Sequence, residues 1–185
     1  MALSDWVGLG GSVLAICTWV LWCTHKTRPR TQSMACISTL LILCCPPFWV
    51  LWYVRGFWGD LSILTACVCL MALLTHTGLA PTPRKTRRRL AQMVLALSVV
   101  LYPMALGLSP WNPYHWGFEP FFTYAILLLA LGSIRHPHIS ISLSLALLSA
   151  QVQLLESANL WDYILDPPLM IWAIVTLWRT RRHTA

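Results

Sequence analysis

Uncharged apolar stretches of about 18 residues or longer recur along this chain of 185 residues, each enough to cross roughly 30 Å of hydrocarbon. Seven apolar runs can be placed, at 6–23, 34–54, 61–79, 90–108, 120–134, 139–155 and 160–178, the fifth being shorter and the last carrying Asp162 and Asp166. In lipid every backbone donor and acceptor must be satisfied within the segment, so helix is the open choice for all seven. With 57% hydrophobic and only 10% charged residues, the chain has too few charges to coat a soluble globule of this size. The expected fold is all-α: a polytopic integral membrane bundle of about seven transmembrane helices, forming one domain over 1–185. No long linker, low-complexity tract or fixed-period repeat divides it.

The formal net charge of +7 and pI near 9.3 would suggest nucleic acid in a soluble protein. Here the basic residues occupy short segments between apolar runs, so topology accounts for them and no nucleic-acid partner is expected. If every run crosses, twelve of the thirteen Lys and Arg residues fall on one side. They are Lys26, Arg28 and Arg30; the cluster Arg84, Lys85, Arg87, Arg88 and Arg89; Arg135; and Arg179, Arg181 and Arg182. Arg55 is the exception. The positive-inside rule then sets the N-terminus outside and the C-terminus inside. Dropping one span would put the last three arginines outside, which argues for seven. All six acidic residues, Asp5, Asp60, Glu119, Glu156, Asp162 and Asp166, land on the outer side, although the rule does not require this of them. The first run lacks the basic leader and small-residue cleavage site of a secretory signal and reads as an uncleaved span.

The seventh run is the most irregular. Asp166 followed by Pro167 has the form of an N-cap with proline at the first helical position. A helix from 167 to 178 covers only about 18 Å, short of the hydrocarbon thickness. The seventh helix is therefore expected to be short, or broken at Asp166-Pro167, with 159–166 a separate, partly embedded segment. In the sixth run Ser142, Ser149, Gln153 and Glu156 share a narrow arc at 100° per residue, a polar stripe climbing to the outer face. Intramembrane polar residues normally face the bundle interior, either for interhelical hydrogen bonds or for function.

Two outer segments, GLSPWNPYHWGFEP and ESANLWDYILDPP, carry most of the remaining polar chemistry. An interfacial aromatic belt explains Trp111, Trp116 and Trp161. It does not explain the concentration of His115, Glu119, Glu156, Asp162 and Asp166, with Arg55 the fixed positive charge near them. These six with Gln153 form the candidate polar site. No metalloprotease, nucleophile-elbow, phosphate-loop or dinucleotide motif is present, so the enzyme signal is weak and neither metal nor cofactor is expected. The seven cysteines all lie in the first three runs, where they pack as small hydrophobes. His76 is expected to be buried near the inner end of the third run. Gly8, Gly11, Ser12 and Ala15 give the first run a small-residue face for close helix packing.

The motifs LYPMALGLSPWNPY and NLWDYILDPP have the look of small bacterial inner-membrane proteins, and no family's functional residues are carried over. The expected location is a bacterial inner (cytoplasmic) membrane, and the expected partners are membrane lipids and a membrane protein. Three roles are open: an accessory or partner-binding subunit in an envelope or membrane complex, favoured by small size and 11 tryptophans; a transporter or lipid-handling protein with a polar site on the non-cytoplasmic side; or an enzyme acting on a lipid-linked substrate at the outer face.

Overall fold

A computed structural model describes residues 3–24, 32, 34–35, 37–39, 56, 59–108 and 110–182. Arg55, the loop with Lys26, Arg28 and Arg30, and most of the second apolar run with Cys44 and Cys45 lie outside them. All regular structure among the described residues is helical: α1 (Leu3–Cys23), α2 (Ile63–His76), α3 (Arg84–Ala105), a 3-10 helix (Pro113–Phe118), α4 (Pro120–Gly132), α5 (Pro137–Gln151), α6 (Leu160–Ile164) and α7 (Pro167–Arg182). Of these, α1 over Ser4–Leu21 is long and apolar enough to cross a membrane, whereas α2 and α4 are apolar but shorter.

Local chemistry sets where these helices begin. Ser62 caps α2, its hydroxyl accepting from the Thr65 amide at 3.1 Å. Proline opens the 3-10 helix, α4, α5 and α7, where its missing N–H is no loss and its φ is already helical. Between α2 and α3 the chain turns at Gly78, whose φ of 75° lies in the left-handed region.

Each packed helix contributes one stripe to a common core. Leu90, Val94 and Leu101 come from α3, Phe122, Ile126 and Ala130 from α4, and Ile139, Leu143, Ala146 and Leu147 from α5. The repeats of three, four or seven residues put each set on one helical face. The main pairs are α3 with α7, α4 with α5, and α1 with α2. The small-residue face of α1 makes the last contact: Gly8 and Ser12 are buried, and a Cβ on Gly11 would lie 3.8 Å from Leu61. Two turns further on, Thr18 lies beside Cys69. Contacts that advance together along both chains make α1 and α2 parallel.

The helix ends sort the charges. Arg89 of α3 meets His136 at the α4–α5 turn, and Arg88 lies beside Arg181 of α7 around one groove. At the opposite end Asp60, Glu156, Asp162 and Asp166 surround one cavity with Tyr102 from the far end of α3. The basic cluster is not a loop, because α3 begins at Arg84 rather than at Leu90, and Arg84, Lys85, Arg87, Arg88 and Arg89 are exposed on its opening turns. His76 is exposed in the last turn of α2, not buried.

The polar stripe proposed along the sixth run is interrupted. α5 stops at Gln151, and the Gln153 and Leu154 amides turn back to the carbonyls of Ala150 (3.1 Å) and Ser149 (2.9 Å). This pair of bonds closes the helix with Gln153 in the left-handed position, φ 49°, which usually takes glycine. Gln153 and Glu156 therefore leave the arc of Ser142 and are exposed. Ser142 is buried and donates to the His138 carbonyl at 2.7 Å, within its own helix. Since a left-handed L-residue costs about 1–2 kcal/mol and glycine does not, Gln153→Gly should hold or raise thermal stability in detergent by up to about 1 kcal/mol. Gln153→Val, β-branched at the same φ, should lower it.

Candidate functional site

The acidic end of the bundle is built by docking the 3-10 helix onto the segment that precedes α7. Asn112 starts the 3-10 turn by accepting from the Tyr114 amide at 3.2 Å, and Asn159 starts α6 by accepting from the Trp161 amide at 2.9 Å. The two turns then bond to each other. The Asn159 side-chain amide donates to the Tyr114 carbonyl at 2.9 Å, and the Trp161 indole N–H donates to the Pro113 carbonyl at 2.8 Å. Asn159 is fully buried and Trp161 nearly so, which strengthens bonds that water would otherwise contest. Trp161 also lies against Phe122 of α4, ring centroids 4.3 Å apart. Gly117 lies where the Asn159 and Trp161 side chains press against the 3-10 helix: a Cβ there would fall 1.7 Å from Asn159 Oδ1.

Two carboxylates hold this knot. Asp162 Oδ2 accepts from the Tyr114 hydroxyl at 2.9 Å and from the Ser157 hydroxyl at 2.5 Å. Asp166 is 6% exposed. Its Oδ1 accepts from the Leu169 amide at 2.7 Å, capping α7, and its Oδ2 accepts from the Ser62 amide at 2.7 Å, at the start of α2. Tyr163 closes the other side, its hydroxyl accepting from the Leu155 amide at 3.1 Å and donating to the Ser157 carbonyl at 3.0 Å.

Beside the knot opens a cavity of about 420 Å³. Leu101, Tyr102 and Ala105 of α3 form one wall; Gly59, Asp60, Tyr114 and the 155–167 segment form the others. Of the candidate residues, Glu156, Asp162 and Asp166 line it. His115 and Glu119 do not. They are exposed on the outside of the 3-10 helix, 3.9 Å apart, and belong to a separate surface. Gln153 lies in the turn that ends α5, and Arg55 is outside the described residues. Asp60 joins the lining, with its Oδ2 accepting from the Glu156 amide at 3.4 Å. Among the described residues no three His, Cys, Asp or Glu side chains are grouped to hold a metal ion.

Sequence reasoning passed over Asp60, Tyr114, Ser157, Asn159, Gly117 and Tyr163. The asparagines were the available signal, because Asn two residues before Trp161 or Tyr114 suits an Asx turn. The pairing of the two turns across the fold has no local mark.

Burial, followed by the Asp162 carboxylate it bonds, pushes the Tyr114 hydroxyl from 10 up to about 12. A raised acid keeps its proton, so the bond contributes fully below the ordinary tyrosine value and is lost as pH rises toward the folded value. Tyr114→Phe should cost about 1–2 kcal/mol, as expected for a hydrogen bond to a charged acceptor. The difference between wild type and variant, read by thermal unfolding, should be flat up to pH 10 and shrink between there and pH 12.

The chain matches no protein-family model, and neither a curated protein nor a solved structure is similar to it.

Proposed function

We propose that this chain is a multi-pass inner-membrane protein that crosses seven times, N-terminus out and C-terminus in, and serves as an accessory, partner-binding subunit of a membrane complex. The observation that carries this reading is the outward surface of α4 and α5. Both helices expose large apolar side chains on the face turned away from the bundle: Leu128 (68% exposed), Leu131, Ile141 and Leu148 (63% exposed) point outward from a core that already takes Ile126, Ala130, Leu143 and Ala146. Water would penalise such a surface, whereas lipid or a partner helix would not. The parallel course of α1 and α2 supports the count, since two helices running the same way require a return between them, and the second apolar run is the segment available. So does the separation of Arg88, Arg89 and Arg181 from the acidic end. α2, α4 and α5 are 14, 13 and 15 residues long, or about 20 Å each. The bilayer thins around them, or the apolar flanks Leu79, Ile134 and Leu154 extend their height.

An accessory role is favoured over chemistry at the outer face because Asp162 and Asp166 accept bonds that hold the fold together. The test is affinity purification from native membranes, with mass spectrometry of bound proteins and lipids. A stoichiometric membrane-protein partner retained by Glu156→Gln supports the proposal; recovery of lipid alone opposes it. The cavity beside Asp60 and Glu156 favours a second reading, a transporter or lipid-handling protein. That reading requires Glu156→Gln to abolish function while insertion stays normal.

A further inference from the structure

A groove of about 360 Å³ lies between α3 and α7 at the basic end, and the site at the acidic end does not use it. Arg88 and Gln92 border it on α3, and Arg181 faces them from α7. Beyond this polar mouth its lining turns apolar, through Ala96 and Val99 with Leu177 opposite. We infer that this groove binds one anionic phospholipid of the inner leaflet, its phosphate between Arg88 and Arg181 and an acyl chain along Ala96 and Val99.

Three observations converge on that occupant. Arginines on two helices face one mouth, and the planar guanidinium is the group best matched to phosphate oxygens. The mouth lies near the opening turns of α3, where a row of five basic residues stands, while the opposed ends of α3 and α7 leave little net helix dipole there. An anion offsets these side-chain charges; a zwitterionic headgroup does so only in part. From Arg88 to Val99 the groove runs about 16 Å along the helix, close to the roughly 15 Å depth of one leaflet's hydrocarbon. A free phosphate would use the mouth and leave the apolar length without purpose.

The inference rests on the bilayer reading, and the experiment separates the two. The full chain, carrying a photocrosslinking residue at Ala96, is reconstituted into vesicles of equal parts phosphatidylcholine and phosphatidylglycerol, floated on a density gradient, irradiated, and the attached lipid identified by mass spectrometry. Phosphatidylglycerol should be captured in excess over its share. Arg88→Gln and Arg181→Gln should each reduce that excess about fivefold, the equivalent of about 1 kcal/mol per charge at the surface. Arg84→Gln with Arg87→Gln, on the same opening turns but outside the groove, should reduce it less than either groove variant. Capture in proportion to the vesicle composition, or equal loss in the Arg84 and Arg87 variant, overturns the groove in favour of none or of diffuse attraction. Competition by inorganic phosphate overturns the lipid in favour of a free anion. Failure of the wild type to float with the vesicles overturns the bilayer reading itself, whatever the groove does.

Discussion

Gly117→Ala is expected to be among the most damaging single substitutions in this chain, costing about 3 kcal/mol, the upper end of overpacking penalties. The added methyl would meet Asn159 Oδ1 at 1.7 Å and both Asn159 Cγ and Trp161 Cδ1 at 2.7 Å. None of these can give way cheaply. Asn159 is fully buried and bonded at both ends of its amide, and Trp161 is pinned by its indole bond and by Phe122. The 3-10 helix should lift off, exposing the Pro113 and Tyr114 carbonyls that it now buries against the knot. Thermal unfolding in detergent would show this as a large fall in midpoint. Asn159→Ala also destabilises, by removing a cap and a buried donor, but it vacates the space the new methyl needs. The two changes together should therefore cost less than their sum. Additive losses would mean that the close approach at Gly117 is not what limits the site.

The second large effect is expected at Asp166, where Asp166→Ala should cost about 3 kcal/mol. Losing the N-cap of α7 accounts for about 1 kcal/mol, and stranding the buried Ser62 amide accounts for about 1–3 kcal/mol more. Asp166→Asn discriminates between the two losses. Its carbonyl can keep the Leu169 bond, but the amide nitrogen then faces the Ser62 N–H, donor against donor. Asn should fall between Asp and Ala, and Asp166→Ser, which can cap but cannot reach both partners, should behave like Asn. If Asn equals Asp in unfolding midpoint, the link to Ser62 contributes nothing measurable. Because Asp166 also lines the outer cavity, a loss of function in these variants is informative only where insertion and midpoint are preserved, which makes Glu156, exposed at the rim, the better probe of the cavity's role.

Helical character was legible from the apolar runs because a backbone leaving water has few alternatives. The break before α7 was legible too, since Asp-Pro is a local signal: capping and the missing proline donor both act within one turn. The candidate site was legible only in part. Glu156, Asp162 and Asp166 were found by their charge and sequence proximity, but the same reasoning swept in His115 and Glu119, which share the outer end without sharing the cavity. Periodicity misplaced Gln153 and Glu156 because an arc drawn at 100° per residue assumes that the helix continues, and nothing in the residue type of Gln153 announces a left-handed turn. Gly117 escaped notice for a different reason: a glycine required by a partner more than 40 residues away in sequence looks like any loop glycine.

The bond between Ser62 and Asp166 joins residues 104 positions apart, and this separation has a consequence for biogenesis. A ribosome delivers α2 long before Asp166 emerges, at about 5–20 residues per second. For that interval the Ser62 amide lacks its native acceptor, and the outer end of α2 is unfinished. A later helix thus supplies the acceptor that completes an earlier one, so a nascent chain stalled before position 166 would leave the acidic end of the fold incomplete. Closure of this fold is a late event, timed by synthesis.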